Sequence, residues 1–367
     1  GSQPPPDLHS AAAPTSPAVT AMDDAKHVSW GTKHASRAAV PHCDADAITW
    51  AARSGAPSSD VYARWLSTRA ATAAGAARAK GRTLELIDRD RFRVAARARR
   101  KPVKRQKVKK GRTPGEVWHI DHYPHDVPSP VDGSTGQYLG VCTVSDYGYA
   151  KNVKRHTADD LVAYVTELMA HCHRYKRVAR LIVLDRGSEN ACAALRTALA
   201  AQRLDVEVAP RGHHERVGCV EAKQDVLSRH GDAQLKRAQQ SAGYHLHARM
   251  DLLDRLNLIP PRGRKVSRWE HFTGEQPPSL RETPPYVYGV EVNVLEDEQA
   301  RGAHQGKGRQ GRSSLGTLLR CSRSGYMIVK HDTRQVVYPR HVTPLNEKEL
   351  VRGGLPSGAA CDDVKVG

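Results

Sequence analysis

The chain has 367 residues, enough for two or three domains, and its 57 Lys and Arg against 39 Asp and Glu give a formal net charge of +18. A surplus of that size favours a polyanionic partner. No run of ~18 apolar residues occurs, so no membrane span is expected, and no basic start followed by an apolar stretch marks a signal peptide.

Residues 1–45 are rich in Ala, Pro and Ser without an apolar period and are expected to be disordered. Residues 46–112 carry short helical patterns, among them the Ala-rich stretch 61–80, and end in a basic block. There, 12 of the 22 residues 91–112 are Lys or Arg. Such a block repels itself until a polyanion neutralises it, and each neutralised phosphate releases a counterion. Lys104, Arg105, Lys107, Lys109 and Lys110 are therefore candidate nucleic-acid contacts. The same block also reads as a solvated linker or a nuclear-import signal.

From Gly115 the texture changes. Val117-Trp118-His119-Ile120 predicts a strand ending at Asp121, and residues 138–144 predict a second, more buried strand. Residues 149–154 suggest a third. Thr157-Ala158-Asp159-Asp160 is a helix-start signal, followed by Leu161, Val162, Val165, Leu168, Met169 and Cys172 on one apolar face. Leu181-Ile182-Val183-Leu184 reads as a buried central strand ending at Asp185. A helix is expected over 190–202, a strand over 205–208, a helix from about Val217 carrying Glu221, and another helical stretch over 233–256. The alternation of Val290, Val292 and Val294 and the runs 326–329 and 335–338 predict short strands forming a small β-barrel or sandwich. The basic, glycine-rich segment 301–312 reads as a loop, and the chain beyond Asn346 as poorly ordered.

The seven cysteines are scattered without a Cys-x-x-Cys pair, which suits reduced thiols in the cytosol or nucleus. Chemistry is instead suggested by carboxylates. Asp121 and Asp185 each end a strand, with 63 residues between them, and Glu221 follows Asp185 after 35 more. Neighbouring strand ends hold two carboxylates at fixed positions, and a helix over the sheet can bring a third. Ligation by oxygen alone selects a hard cation, Mg²⁺ or Mn²⁺.

Several of these stretches resemble one family. Val117-Trp118-His119-Ile120-Asp121, Val144-Ser145-Asp146-Tyr147, Leu184-Asp185-Arg186-Gly187-Ser188-Glu189-Asn190 and the stretch from His214 to Glu221 stand in its order and spacing. So do Trp269-Glu270-His271-Phe272-Thr273-Gly274-Glu275-Gln276-Pro277 and Val336-Val337-Tyr338-Pro339-Arg340-His341-Val342. They are similar to motifs of copia-type long-terminal-repeat retrotransposon integrases, in the DDE group that includes retroviral integrases. The resemblance covers about residues 108–347. It implies an α/β, RNase H-like catalytic core at 113–282, preceded by a helical and basic region at 46–112. A small SH3-like β-barrel at 283–347 and a disordered tail at 348–367 complete the expected order. The resemblance further implies Asp121, Asp185 and Glu221 as catalytic ligands of two Mg²⁺ or Mn²⁺ ions. The reaction would be 3′-end processing and DNA strand transfer, with element ends and target DNA as partners. A homo-oligomer, other parts of a Pol polyprotein, and a nuclear or element-particle location follow from the same likeness. Lys223, His213, Arg264 and Lys265 are the further candidate nucleic-acid contacts.

Two family features are absent. The upstream zinc module lacks its Cys-x-x-Cys half, so no zinc site is expected. Arg216-Val217 stands where the family has Gln-Asn before Gly218, and Ala222 where it has a basic residue. A second reading is therefore a domesticated, catalytically inactive nucleic-acid-binding protein with the same fold. The intact carboxylates favour the enzyme, and the altered loop favours the second reading.

Overall fold

Strand β1 (Val117–Pro124) organises the molecule, because its first half is buried on both faces and its second half emerges at Asp121. The computed structural model describes residues 45–56, 58–68, 71, 75–79, 82–96, 110–185, 193–209, 218–277, 285–295, 313–322 and 325–352. The basic residues Lys104, Arg105, Lys107 and Lys109, together with His213 and the segment 301–312, lie outside these residues.

β1 pairs antiparallel with β2 (Gly136–Cys142), and β2 with β3 (Gly148–Val153). β4 (Leu181–Leu184) and β5 (Asp205–Val208) add in parallel on the other side, giving the order β3-β2-β1-β4-β5. A parallel neighbour needs a crossover. Helix α5 (Ala158–Arg174) lies between β3 and β4 in the chain, and α6 (Ala193–Ala200) between β4 and β5. The α5 N-cap is the expected Thr157, whose hydroxyl accepts from the Asp160 N–H.

Strand alternation sorts the residues of the sheet onto two faces. On one, Trp118, Ile120, Tyr138, Ile182 and Leu184 pack against Leu161, Val165 and Leu168 of α5 and Leu195 and Leu199 of α6. On the other, Val117, Leu139, Val141 and Val183 meet α7 (Gly218–Ala238) and α8 (His245–Asn257) through Val220, Leu227, Leu252 and Leu256. The edge of β3 is capped from α8. Asn257 accepts from the Gly148 N–H at 3.0 Å and donates to the Gly148 carbonyl at 2.8 Å.

Helical periodicity predicted one stretch over 233–256, but the chain breaks inside it. Gln239 adopts φ 53°, and the Gln240 N–H turns back to the Leu235 carbonyl, ending α7 before a short 3-10 turn, Ala242–Tyr244, leads into α8. No glycine marks the stop, so the sequence offered no signal for it.

The N-terminal helices do not form a module of their own. α1 (Ala45–Arg53), α2 (Ser59–Leu66), α3 (Arg82–Arg89) and α4 (Arg91–Ala96) join the sheet's core, where Ala51, Tyr62, Trp65 and Ile87 share one cluster with Leu139, Val183 and Leu252. Of the expected helical stretch 61–80, the helix α2 ends at Leu66.

The C-terminal strands are β6 (Glu291–Leu295), β7 (Ser313–Ser322), β8 (Gly325–Lys330), β9 (Val336–Val337) and β10 (Val342–Pro344). They pair antiparallel in the linear order β10-β6-β7-β8-β9, so among the described residues the sheet is open rather than a closed barrel. Leu319, Met327 and Val329 pack with Leu235 of α7 and Ala248 of α8, which docks the sheet on the core. The first part of the tail expected to be disordered is helical; residues 353–367 lie outside the described residues. α10 (Glu347–Arg352) buries Val351 with Ile48 and Leu86, and Glu347 accepts both ends of the Arg53 guanidinium fork at 3.0 and 2.6 Å.

Candidate active site

The parallel pairing of β1 and β4 ends at Ile120 opposite Leu184. The next residues, Asp121 and Asp185, therefore leave two adjacent strands at the same level. Alternation places both on the face of Val183, under α7 and α8. Glu221 stands in the first turn of α7, exposed, where the positive end of the helix favours an ionised carboxylate.

Asp121 carries the signature of a crowded acidic site. Its carboxyl is half-buried and its pKa is pushed up to about 6. Burial is the main cause, and repulsion by Asp185 and Glu221 adds to it, while the N–H of His122 at 2.9 Å and the charge of Arg249 oppose the shift. Asp185 and Glu221, the other two sequence-predicted carboxylates, thus both act on Asp121. Three oxygen donors under mutual repulsion suit a hard dication, which would relieve the excess negative charge. Their present positions are more open than a closed ligand set: no group of three or more His, Cys, Asp or Glu among the described residues is arranged to hold a metal ion.

A residue the sequence did not single out stands beside them. Arg249 of α8 is fully buried, its guanidinium lies 3.7 Å from the centre of the Tyr123 ring, and Nε donates to Gln137 Oε1 at 3.1 Å. It also donates to Gln224 and Ser228 on α7, so one side chain ties β1, β2 and the turn after Glu221 together. Its hydrogen-bond partners among the described residues include no carboxylate. Burial pushes its pKa down to about 10, against the pull of Tyr123, Asp121 and Asp232. An arginine in the middle of a helix gives no sequence signal of this role, because its partners come from distant elements.

The structure redistributes the expected nucleic-acid contacts. Lys223 does not face solvent. It is buried, and its ammonium pairs with Asp146 Oδ1 at 3.0 Å and donates to the Asp146 carbonyl. Burial lowers the pKa of Lys223; burial alone would raise Asp146, but Lys223 and Arg268 together hold that carboxylate below its ordinary value. The reason is steric as well as electrostatic: Lys223 lies on the inner side of α7, next to the buried Val220 and Gln224. Arg264 and Lys265 are exposed in the loop between α8 and α9 (Arg268–Thr273), with Arg264 in contact with His271 Nδ1 at 2.6 Å. Lys110 is exposed before β1, in a shallow recess with Arg112 and Arg180 where β1, β4 and β5 begin. It is therefore at the opposite end of the parallel strands from Asp121 and Asp185.

No family model matches the chain, and no curated protein matches it. Among solved structures it is similar to a simian T-cell lymphotropic virus intasome in complex with PP2A regulatory subunit B56 gamma. The identity is 16% over 67% of this chain and 84% of that one, with a TM-score of 0.39. It is also similar to the catalytic core domain of BIV integrase, at 15% identity over 43% of this chain and 93% of that one, with a TM-score of 0.32. Likenesses of this strength do not fix a family, and the site stands on its own geometry.

Proposed function

We propose that this chain is a metal-dependent DNA strand-transfer enzyme, an integrase of the copia type, with Asp121, Asp185 and Glu221 as its acidic triad. One observation supports this reading above the rest. Two aspartates leave adjacent parallel strands at one level, and the charges of Asp185 and of Glu221 from α7 both raise the pKa of Asp121.

In this reading the three carboxylates hold two Mg²⁺ or Mn²⁺ ions, which supply activation of the attacking oxygen and stabilisation of the leaving one. The protein's part is positioning. The His122 N–H fixes one oxygen of Asp121, and the buried Arg249 holds α7 against β1 and β2. No protein nucleophile is required, since water attacks in end processing and the DNA 3′-hydroxyl in strand transfer. The exposed Lys110, Arg264 and Lys265 supply positive surface for phosphates. Joining two DNA ends requires two active sites, so the working form is a homo-oligomer acting on element and target DNA in the nucleus.

Strand transfer is to be assayed with element-end DNA and Mg²⁺ or Mn²⁺. Activity is expected in the wild type, with a loss of at least ~100-fold in Asp185→Asn. Activity that survives this change removes the triad from the reaction. The openness of the carboxylate set favours a second reading, a DNA-binding protein without turnover. DNA bound at low salt with no product under either metal is its expected result.

A further inference from the structure

Apart from the acidic triad, a cavity of about 380 Å³ opens at the edge strand β3. Its residues Gly148, Tyr149 and Ala150 belong to β3, two strands away from β1, and it shares no lining residue with the triad. Its size is that of a small-ligand pocket.

Its chemistry is aromatic and donor-rich. Tyr149, His171, Tyr175 and Trp269 line it, with the ring centres of Tyr149 and His171 4.8 Å apart and Tyr175 edge-on to Trp269 at 5.7 Å. The charges in the wall are largely spent on one another: Arg320 pairs with Asp254, and Arg255 with Asp251. Arg174, in the last turn of α5, is exposed and makes no ion pair among the described residues. The indole N–H of Trp269 is buried and has no acceptor among the described residues. A wall of aromatic rings, one uncommitted cation and one unanswered donor together describe the missing partner: a ring with acceptor atoms and a negative charge.

We propose that this cavity is a binding site for a small planar aromatic anion, its ring against Tyr149, Tyr175 and Trp269 and its anionic group on Arg174 and the Trp269 N–H. The anionic group is a carboxylate or a phosphate; both accept from a guanidinium fork. The site does not depend on the triad, so its failure leaves the proposed reaction untouched.

Calorimetric titration of the full chain tests it, with indole-3-carboxylate in one arm and thymidine 5′-monophosphate in the other. At least one anion is expected to bind with one site per chain, and the arm that binds identifies carboxylate or phosphate. Arg174→Gln should weaken that binding about tenfold or more, the effect of one charge-assisted pair. Trp269→Phe keeps a ring but deletes the N–H and should weaken it several-fold. Lys154→Gln, an exposed charge elsewhere, should leave it unchanged, and neutral indole should bind at least about tenfold more weakly. Circular dichroism establishes that each variant is folded. No binding of either anion at millimolar concentration, or full affinity in Arg174→Gln or Trp269→Phe, overturns the assignment.

Discussion

Helix α8 carries two buried arginines in contrasting company. Arg255 faces Asp251, fully buried one turn earlier, through two hydrogen bonds of 2.6 and 3.0 Å. Arg249 has no carboxylate among its hydrogen-bond partners and is surrounded by the neutral oxygens of Gln137, Gln224 and Ser228 and the face of Tyr123. The electrostatics follow. Burial would lower Arg255, but Asp251 more than offsets it and raises the guanidinium above its ordinary value, whereas burial pushes Arg249 down to about 10. The paired charge is scaffold: Arg255 also donates to the Arg53 and Tyr286 carbonyls and so joins α1, α8 and the C-terminal sheet. The unpaired charge is stored beside the candidate acidic site, where Tyr123, Asp121 and Asp232 act on it through space.

The largest effect should come from breaking the paired arginine. Arg255→Met strands Asp251 in the core and is expected to cost ~3–5 kcal/mol in urea unfolding. Arg249→Met removes a charge that had no direct counter-ion and should cost less, ~1–3 kcal/mol, from the hydrogen bonds lost by Gln137, Gln224 and Ser228. Equal losses in the two variants would erase the distinction between them.

The next effect is a gain in stability. The Asp121 pKa is about 6 in the fold against an ordinary 3.8. Between these values the fold keeps a proton that the unfolded chain has released, so the wild type loses stability as pH rises through this window. Asp121→Asn escapes that loss. In chelator-containing buffer it should match the wild type in electrostatic terms near pH 3.5 and gain on it up to pH 7, by ~3 kcal/mol. A difference that stays flat with pH would mean that neither burial nor its acidic neighbours raise the Asp121 carboxyl.

The smallest effects concern DNA. Arg264→Gln and Lys265→Gln should each reduce the salt dependence of DNA binding by about one counterion. Lys223→Gln should leave that slope unchanged, because the Lys223 ammonium is already held by Asp146. A reduced slope in Lys223→Gln would place the lysine on DNA after all.

The placement of the candidate site's aspartates was legible because these residues interrupt a pattern. Asp121 and Asp185 stand out as polar ends of apolar runs, and the runs are apolar because both faces of the central strands are covered. The capping threonine of α5 was equally readable, since its partner is three residues away. What stayed hidden depends on contacts between distant segments. Arg249 meets Gln137 across 112 residues, and Lys223 meets Asp146 across 77. From the sequence, either basic side chain looks like a surface charge. The helix at 347–352 was missed for the same reason: Leu350 and Val351 are two apolar residues in a polar stretch until α1 and α3 cover Val351.

The Arg53–Glu347 bridge has a consequence for how the protein comes into being. Its partners are 294 residues apart. During synthesis α1 is made well before α10, so its arginine waits for a glutamate that follows 294 residues later. Until then Ile48 and Ala52 of α1 and Leu86 of α3 lack the cover of Leu350 and Val351. Contacts over such separations slow folding and lengthen the exposure of apolar surface to other chains. Nascent chains halted before residue 347 should therefore be the ones that chaperones hold, and emergence of α10 the event that frees them.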